Sequence, residues 1–281
     1  MNFDFLLILK AIIMGIVEGI TEFLPISSTG HMIVVGSLIG FNDDFAKKLF
    51  DIFIQFGAIL AIVVLYHRKI WQSLKNLKPG QFGFKLWIGI IMAMIPSGIV
   101  AVLLYKQAEK LLMYPIPVAC ALIVGGIALL VAEHIYKSNK KTTRSEDVTP
   151  FQGFMIGVFQ CLSFLWPGFS RSASTIIGGW VVGMTTAAAA EFTFFLAIPT
   201  MFGASGYSLL KALKDHSVVL DSNHIVALIV GFVVAFIVAL VVVKKFIDFL
   251  KHKPLRVFAY YRIVVGVLRL TLTLTGVVNL Q

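Results

Sequence analysis

Long apolar stretches constrain the fold of this chain more than any other feature of its sequence. Six of them have the length, about 20 residues, that a helix needs to cross the hydrocarbon core of a membrane. They lie at residues 49–66, 86–105, 114–132, 187–206, 224–243 and 257–278. With 58% hydrophobic and 14% charged residues, the chain has too few polar side chains for the surface of a soluble enzyme. We therefore predict an all-α integral membrane protein with six transmembrane helices.

Two further apolar stretches, residues 5–41 and 151–184, are each interrupted near the middle by a polar run that contains proline. The two runs read PISSTG and PGFSRSAS. Irregular backbone at membrane depth persists only where protein or a water-filled cavity surrounds it. We therefore predict two re-entrant helix-loop-helix hairpins, each of which returns to the side from which it entered.

The distribution of basic residues orients the predicted spans. The net charge is +10, and 14 of the 24 Lys and Arg residues lie in the connections 67–85, 133–150 and 244–256. Cytoplasmic loops of membrane proteins carry such an excess of Lys and Arg, whereas a nucleic-acid-binding protein has its basic residues clustered on one face. We expect these three connections to lie in the cytoplasm. Both termini then lie outside, and the first hairpin enters the membrane from outside. We expect no nucleic-acid partner.

An internal repeat relates the two halves of the chain. A shift of 142 residues aligns residues 15–28 with residues 157–170. It pairs Gly15 with Gly157, Glu18 with Gln160, Pro25 with Pro167 and Ser28 with Ser170. Each half then has one hairpin and three crossings, and this odd number forces the halves into opposite orientations. We predict one membrane domain, 1–281, built from inverted repeats 1–140 and 141–281, with a binding site where the hairpin tips meet.

Two carboxylates precede the first polar run. Glu18 and Glu22 are four residues apart and therefore share one face of a helix. Such a pair is unfavourable in a medium of low dielectric constant unless a cation lies between the carboxylates or they share a proton. The pair indicates either a divalent-cation site with hard oxygen ligands or a buried, proton-sharing pair.

The first polar run offers groups that can bind an anion. Pro25 ends a helix, and any of Ser27, Ser28 and Thr29 can cap the next one. If Ser28 is the cap, His31 lies in the first turn, beside unpaired backbone N–H groups that attract anions. We expect a phosphate-binding or acid–base role for His31; the alternative is a hydrogen-bonded core histidine.

The second polar run supplies a cation and further hydroxyls. Arg171 follows Ser170 and precedes Ser172, Ser174 and Thr175. Because a guanidinium pairs with two phosphate oxygens at once, this run reads as a phosphate clamp. An internal salt bridge from Arg171 to Glu18 or Glu22 is the alternative, and the two are compatible. The combined groups fit a phosphorylated lipid head group.

Four other charged residues lie within apolar stretches. For Asp51 and Glu191, a place in the cavity lining and a salt bridge at the end of a span are both open. Arg262 and Arg269 share one helix face, and we expect them to neutralise internal acids or to extend towards the membrane surface.

The two polar runs also resemble a known family. EGITEFLPISSTGH, residues 18–31, and PGFSRSAST, residues 167–175, resemble the signature motifs of the bacterial undecaprenyl-diphosphate phosphatases of the bacitracin-resistance type. The resemblance extends over essentially the whole chain, and Glu18 satisfies the Glu or Gln that the family has there. It implies hydrolysis of the terminal phosphate of undecaprenyl diphosphate, a polyprenyl lipid in the bacterial cytoplasmic (inner) membrane, at a site open to the periplasmic or outer face.

The resemblance also implies roles for individual residues. Glu18 and Glu22 would hold a divalent cation, Mg²⁺ or Ca²⁺, or assist proton transfer, and Arg171 would bind the diphosphate. Ser27, Thr29, Ser170, Ser172 and Thr175 would support the phosphates. Ser28 as nucleophile with His31 as its base, His31 as nucleophile, and direct attack by water all remain open.

A second function class fits part of the pattern. Inverted repeats with broken helices are typical of secondary transporters and of flippases for phosphorylated lipids. The unlike hairpins favour an enzyme, because the first carries Glu18, Glu22 and His31 whereas the second contributes Arg171. A homodimer is compatible with the sequence, which does not fix the oligomeric state.

Overall fold

A computed structural model describes residues 4–112, 114–136, 141–214 and 221–275. These residues form eleven α-helices: α1 (Phe5–Thr21), α2 (Ser28–Leu38), α3 (Asp51–Leu65), α4 (His67–Lys75), α5 (Phe82–Leu112), α6 (Pro115–Tyr136), α7 (Pro150–Leu165), α8 (Arg171–Val181), α9 (Thr186–Lys214), α10 (Ser222–His252) and α11 (Arg256–Leu274). A π-helical turn, Ala46–Phe50, leads into α3, and a 3₁₀ turn, Ser145–Asp147, precedes α7. The prediction of an all-helical chain is confirmed.

Five to six helices can span a membrane. In the described part of the chain, α5, α6, α9, α10 and α11 are each long and apolar enough. The remaining predicted span, residues 49–66, falls on α3, which has only 15 residues. It is long enough to span a membrane only when α4 is counted with it, and α4 is bent from α3 by 68°. The last predicted span ends in residues 276–281, and the predicted boundary between the halves adjoins residues 137–140; both segments lie outside the described residues.

Both apolar stretches with a polar interruption form two helices joined by a short loop. In the first, α1 ends at Thr21 and α2 begins at Ser28, with Pro25 between them. In the second, α7 ends at Leu165 and α8 begins at Arg171. Proline has no backbone N–H and cannot continue a helix, so the breaks follow from the sequence. We refer to residues 22–27 as the first loop and to residues 166–170 as the second loop.

Helices from the two halves pack against each other. α1 contacts α10 along its length, α7 contacts α5, and α6 contacts α11. Small residues allow this close approach: a Cβ added at Gly15 would lie 2.7 Å from the Gly231 carbonyl oxygen, and one added at Gly157 only 2.1 Å from that of Ala93. The interleaved packing brings the first and second loops to the same place in the molecule.

Candidate active site

The helices that follow the two loops start in the same way. Ser27 and Ser170 are the N-caps of α2 and α8, and both have a positive φ, 72° and 77°. Their hydroxyls accept hydrogen bonds from the backbone N–H of Gly30 (3.4 Å) and of Ala173 (3.2 Å). Positive φ in residues other than glycine is uncommon and concentrates at functional sites. Of the caps left open by the sequence, Ser27 is the one used in the first loop.

The caps change how the two halves correspond in the loops. The alignment at a shift of 142 pairs Ser28 with Ser170, but the second loop has one more residue between its proline and its N-cap, so by its role as N-cap Ser170 matches Ser27. Ser28 and Arg171 are accordingly each the first residue of their helix. The first residue of the helix thus carries a hydroxyl in α2 and a guanidinium in α8.

Glu22 joins the two loops. Its Oε2 accepts a short hydrogen bond from the Ser28 hydroxyl, and its Oε1 pairs with Arg171 Nη2 at 3.0 Å. The backbone carbonyl oxygen of Glu22 also accepts a hydrogen bond from the Ser172 hydroxyl at 3.3 Å. Of the salt bridges that the sequence allowed for Arg171, the structure contains the one to Glu22.

Several polar atoms at this centre are buried without a partner among the described residues. They are Arg171 Nε and Nη1 and Glu18 Oε1. Glu18 is 2% exposed and interacts electrostatically with Glu22, Asp51 and Arg171. Buried polar groups are nearly always hydrogen-bonded in proteins. Free donors on Arg171 and a free carboxylate oxygen on Glu18 therefore indicate that this centre receives a ligand.

His31 is held by two hydrogen-bond partners, and neither of them is Ser28. Its Nδ1 lies 2.8 Å from the carbonyl oxygen of Ser27, which can only accept, so Nδ1 carries the proton. In the neutral ring Nε2 then accepts from the hydroxyl of Tyr261, 2.8 Å away. The two rings stack with centroids 5.6 Å apart. The lone pair of His31 Nε2 thus faces Tyr261 in α11, a residue that no sequence motif singles out.

Arg262 connects the backbones of both loops. Its side chain is fully buried, and its Nη1 donates to the carbonyl oxygen of Pro25 at 3.2 Å. Its Nη2 lies 2.6 Å from the carbonyl oxygen of Phe169 and 3.3 Å from those of Gly168 and Ala121. Pro25 belongs to the first loop, and Gly168 and Phe169 belong to the second. Arg262 therefore fixes the two loops relative to each other.

The expected role of Arg262 and Arg269 was wrong. Neither pairs with an acid among the described residues, and both are buried rather than extended to the membrane surface. Arg269 donates to the carbonyl oxygen of Gly30 at 3.2 Å. The physical reason is that broken helices leave carbonyl groups that water cannot reach inside the protein, and a guanidinium offers enough donors for several of them.

Three other candidate residues, Thr175, Thr29 and Glu191, differ in where they lie. Thr175 lies within the protein, where its hydroxyl donates to the Arg171 carbonyl oxygen at 2.9 Å and accepts from Thr193 at 2.8 Å. Thr29 is exposed. Glu191 lies outside the centre, in a salt bridge with Lys69 at 2.9 Å, which is one of the two roles left open for it.

The chain is similar to proteins of one family over nearly its full length. Residues 11–268 match the family described as bacitracin resistance protein BacA. The chain is 52% identical to the undecaprenyl-diphosphatase of Clostridium novyi, over 97% of this chain and 98% of that protein. It is 49% identical to undecaprenyl-diphosphatase 2 of Clostridium acetobutylicum, over 98% and 99%, and 50% identical to the undecaprenyl-diphosphatase of a Thermoanaerobacter strain, over 97% and 99%.

Proposed function

Because the chain belongs to the family of the bacitracin resistance protein BacA, it is an undecaprenyl-diphosphatase, and we propose that the centre around Glu22 carries out its reaction. The enzyme is a multi-pass membrane protein whose substrate is undecaprenyl diphosphate. The observation that carries the proposal is the contact of Glu22 with Ser28 on one side and with Arg171 on the other. This contact unites the two polar loops in one acid, hydroxyl and guanidinium group.

Ser28 is the nucleophile in the proposed mechanism. Glu22 accepts the proton of the Ser28 hydroxyl while the oxygen attacks the terminal phosphorus, and the bond to the bridging oxygen breaks. Undecaprenyl phosphate leaves with that oxygen, and the terminal phosphate stays on Ser28. Glu22 gives up its proton to the departing undecaprenyl phosphate and is a base again. Water then attacks the phosphoserine, Glu22 takes up one proton of the water and passes it to the Ser28 oxygen as the phosphorus–oxygen bond breaks, and inorganic phosphate is released. The hydrogen bond between Ser28 and Glu22 supports this assignment over one in which His31 is the base.

Arg171 stabilises the charge that develops on the phosphate oxygens. Its Nη2 is engaged by Glu22, whereas Nε and Nη1 are buried and free among the described residues. These donors can bind phosphate oxygens without breaking the salt bridge. The first turns of α2 and α8 add backbone N–H groups, with Ser27, Thr29, Ser170, Ser172 and Thr175 as supporting hydroxyls. Phosphoryl transfer depends mainly on such positioning and charge neutralisation.

A divalent cation, Mg²⁺ or Ca²⁺, fits beside this group. Glu18 offers a buried oxygen without a partner among the described residues, and Glu22 lies one helical turn away. The described residues contain no cluster of three or more His, Cys, Asp or Glu side chains suited to a metal. Mg²⁺ is commonly held by one or two carboxylates together with substrate phosphates. When bound by Glu18 and Glu22, the cation would neutralise charge on the diphosphate.

The arrangement of the two halves is also part of the proposal. The pair α7–α8 is followed by the three helices α9, α10 and α11, and the pair α1–α2 is followed by α5 and α6 after the bent pair α3–α4, which takes the place of one span. The contact of α1 with α10 corresponds to the contact of α7 with α5. This correspondence supports inverted repeats 1–140 and 141–281, with α1–α2 and α7–α8 as re-entrant hairpins that enter from opposite sides. The basic connections then lie in the cytoplasm, and the active site opens to the periplasmic or outer face.

Phosphate release from undecaprenyl diphosphate by the purified chain in detergent tests the reaction. We expect Ser28→Ala, Glu22→Gln and Arg171→Lys each to lose at least about a hundredfold in kcat/KM. Thr271→Ala is the matched control, because that hydroxyl is exposed and bonds only within its own helix, to Val267. A chelator should abolish activity, and added Mg²⁺ or Ca²⁺ should restore it.

Three results would contradict parts of the proposal. Activity that survives exhaustive chelation would exclude the divalent cation. Full activity of Ser28→Ala would exclude serine as the nucleophile. Rapid quenching should trap an acid-stable phosphate on Ser28, and an acid-labile, alkali-stable phosphohistidine at His31 in its place, recovered after an alkaline quench, would transfer the nucleophilic role to that residue.

A further inference from the structure

The short helix α4 changes direction where a span ends. α3 and the π-helical turn before it cover residues 46–65, which extend over about 30 Å, the thickness of the hydrocarbon core. α4 follows after Tyr66 at an angle of 68° to α3. A helix that bends this far at the end of a span runs closer to the plane of the membrane than to its normal.

One side of α4 is fixed to the rest of the protein. Ser73 is fully buried, and its hydroxyl accepts a hydrogen bond from Trp87 Nε1 at 2.9 Å. Lys69 pairs with Glu146 at 2.7 Å and with Glu191 at 2.9 Å. Because these contacts hold both turns of the short helix, the same side of α4 always faces away from the protein, and we call this side the outer face.

The outer face carries large apolar side chains. Trp71 is 62% exposed, Leu74 46% and Leu77, just beyond the helix, 48%. Trp71 and Leu74 are three residues apart and therefore lie on the same side of α4. Tryptophan is enriched at membrane interfaces, where its ring packs among lipids while its N–H reaches water.

The same segment is strongly basic. The connection 67–85 has five Lys and Arg residues and no acid. Arg68, Lys75 and Lys78 are exposed, and none of them pairs with an acid among the described residues. Lys75 Nζ lies 5.0 Å from the centroid of the Trp71 ring, so a positive charge borders the apolar side chains. Basic residues next to a membrane attract anionic lipids.

We propose that α4 is an in-plane docking surface for anionic phospholipids. Trp71 and Leu74 insert at the level where head groups meet acyl chains, and Arg68, Lys75 and Lys78 bind lipid phosphates. We assign the surface to anionic lipid because the exposed ring of Trp71 lies beside the positive charge of Lys75, and the segment has no acidic residue that would repel a lipid phosphate. This role is separate from the phosphatase reaction, whose centre lies at the first and second loops.

Tryptophan quenching by brominated lipids tests the proposal. The full chain is reconstituted at equal mole fractions of brominated phosphatidylglycerol or brominated phosphatidylcholine, and the Trp71 signal is the difference between wild type and Trp71→Phe. We expect the anionic lipid to be preferred about fivefold at Trp71, the factor that one base at the membrane surface supplies. The preference should decline at high salt, because salt screens exposed charges.

Two variants with the same change in charge show which basic residues cause the preference for anionic lipid. Arg68→Gln/Lys75→Gln/Lys78→Gln should lose the lipid preference while Trp71 stays quenched by both lipids. The control Lys244→Gln/Lys245→Gln/Lys253→Gln removes three bases from another connection and should keep the preference.

Three outcomes would overturn the proposal. Equal quenching by the two lipids in the wild type would show that the surface does not select anionic lipid. Retention of the preference in the α4 variant would exclude these bases. Protection of Trp71 from both lipids, in protein that migrates as a dimer, would assign the face to a second copy of the chain.

Discussion

Arg262 is a buried cation whose partners are all backbone carbonyl groups. A charge within the protein is stable only when hydrogen bonds replace those of water. The first and second loops supply three of the four bonds, because their carbonyl groups lie beyond the ends of α1 and α7 and have no helical partner, and the carbonyl group of Ala121 in α6 supplies the fourth. One side chain of α11 therefore sets the distance between the loop that holds Glu22 and the loop that precedes Arg171.

Replacement of Arg262 by lysine should impair both stability and activity. An ammonium group cannot reach carbonyl oxygens on several sides at once, and each buried acceptor left unpaired costs about 1–3 kcal/mol. We expect Arg262→Lys to melt at a lower temperature in detergent and, in the folded protein, to lose about a hundredfold in kcat, because Glu22 and Arg171 shift relative to each other. Arg256→Lys, at an exposed position of the same helix, is the control. Wild-type kcat in Arg262→Lys would show that the loops hold their positions without it.

Substitutions at His31 separate two roles for its ring. If the ring serves to hold the first loop through Nδ1–H, then His31→Asn, whose amide nitrogen can take the place of Nδ1, should keep more kcat than His31→Gln, which imitates Nε2. If the ring attacks phosphorus or accepts a proton, both variants should be inactive, since neither amide is a base. The contact of Nδ1 with the Ser27 carbonyl group leads us to expect the first result, with a difference of about tenfold. Steady-state rates of phosphate release, together with a melting curve for each variant, decide between them.

Individual contacts could be predicted only where opposite charges left few choices. For Arg171, the sequence offered Glu18 and Glu22 in the other hairpin, so a salt bridge to one of them was an alternative to the phosphate clamp and compatible with it. Tyr261 is 230 residues away from His31, and its contact depends on where the packing of α11 against α6 places that helix. The signal for Arg262 was its position inside an apolar stretch, but its partners are backbone atoms, which no residue type reveals.

At the level of helices, the two N-caps combine a hydrogen bond with an unfavourable backbone conformation. Ser27 and Ser170 have positive φ, which a side chain with a Cβ adopts at a cost of about 1–3 kcal/mol. The strain persists because the caps direct the first turns of α2 and α8 towards each other. Ser28 and Arg171 then meet at Glu22.

Two substitutions at Ser27 should have opposite effects. Ser27→Ala loses the cap but keeps the strained φ, and it should lower the free energy of unfolding by about 1 kcal/mol. Ser27→Gly loses little capping energy and relieves the strain, so it should be as stable as the wild type or more stable. Thermal melting of the purified variants measures the difference. A glycine variant less stable than the alanine variant would contradict a strained conformation at this position.

For the molecule as a whole, the interleaved packing depends on a few glycines. Gly157 lies so close to the Ala93 backbone that even one methyl group must push α7 and α5 apart, whereas nothing lies within 4 Å of a Cβ at Gly98. The difference between these two sites gives a matched pair of glycine positions, both in the interior of a helix.

Gly157→Ala should destabilise the protein by about 1–3 kcal/mol, the cost of overpacking. Gly98→Ala should be neutral or stabilise it by up to about 1 kcal/mol, because alanine is the better helix former. Melting temperatures in one detergent test the pair. Equal effects at both positions would show that the contact between α5 and α7 does not limit stability.

The helical architecture is predictable from the sequence because hydrocarbon leaves few alternatives. Apolar length predicted the spans, and Pro25 and Pro167 predicted the breaks. The bend between α3 and α4 was not predicted, because the sequence has no proline or glycine at Tyr66, where α3 meets α4 and the apolar run of residues 49–66 ends. There the contacts of Lys69 and Ser73 determine the direction of the chain, and these depend on residues far away in sequence.

The contacts of α1 and α11 also set an order of assembly during synthesis. α1 is made first, yet its partner α10 begins at Ser222, and Arg262, which joins the two loops, comes later still. Until α11 has been inserted, the first loop lacks the hydrogen bond from Arg262 that joins it to the second loop. A ribosome must therefore translate nearly the whole chain before the enzyme can acquire its activity, and products that stop before α11 should be inactive and open to membrane proteases.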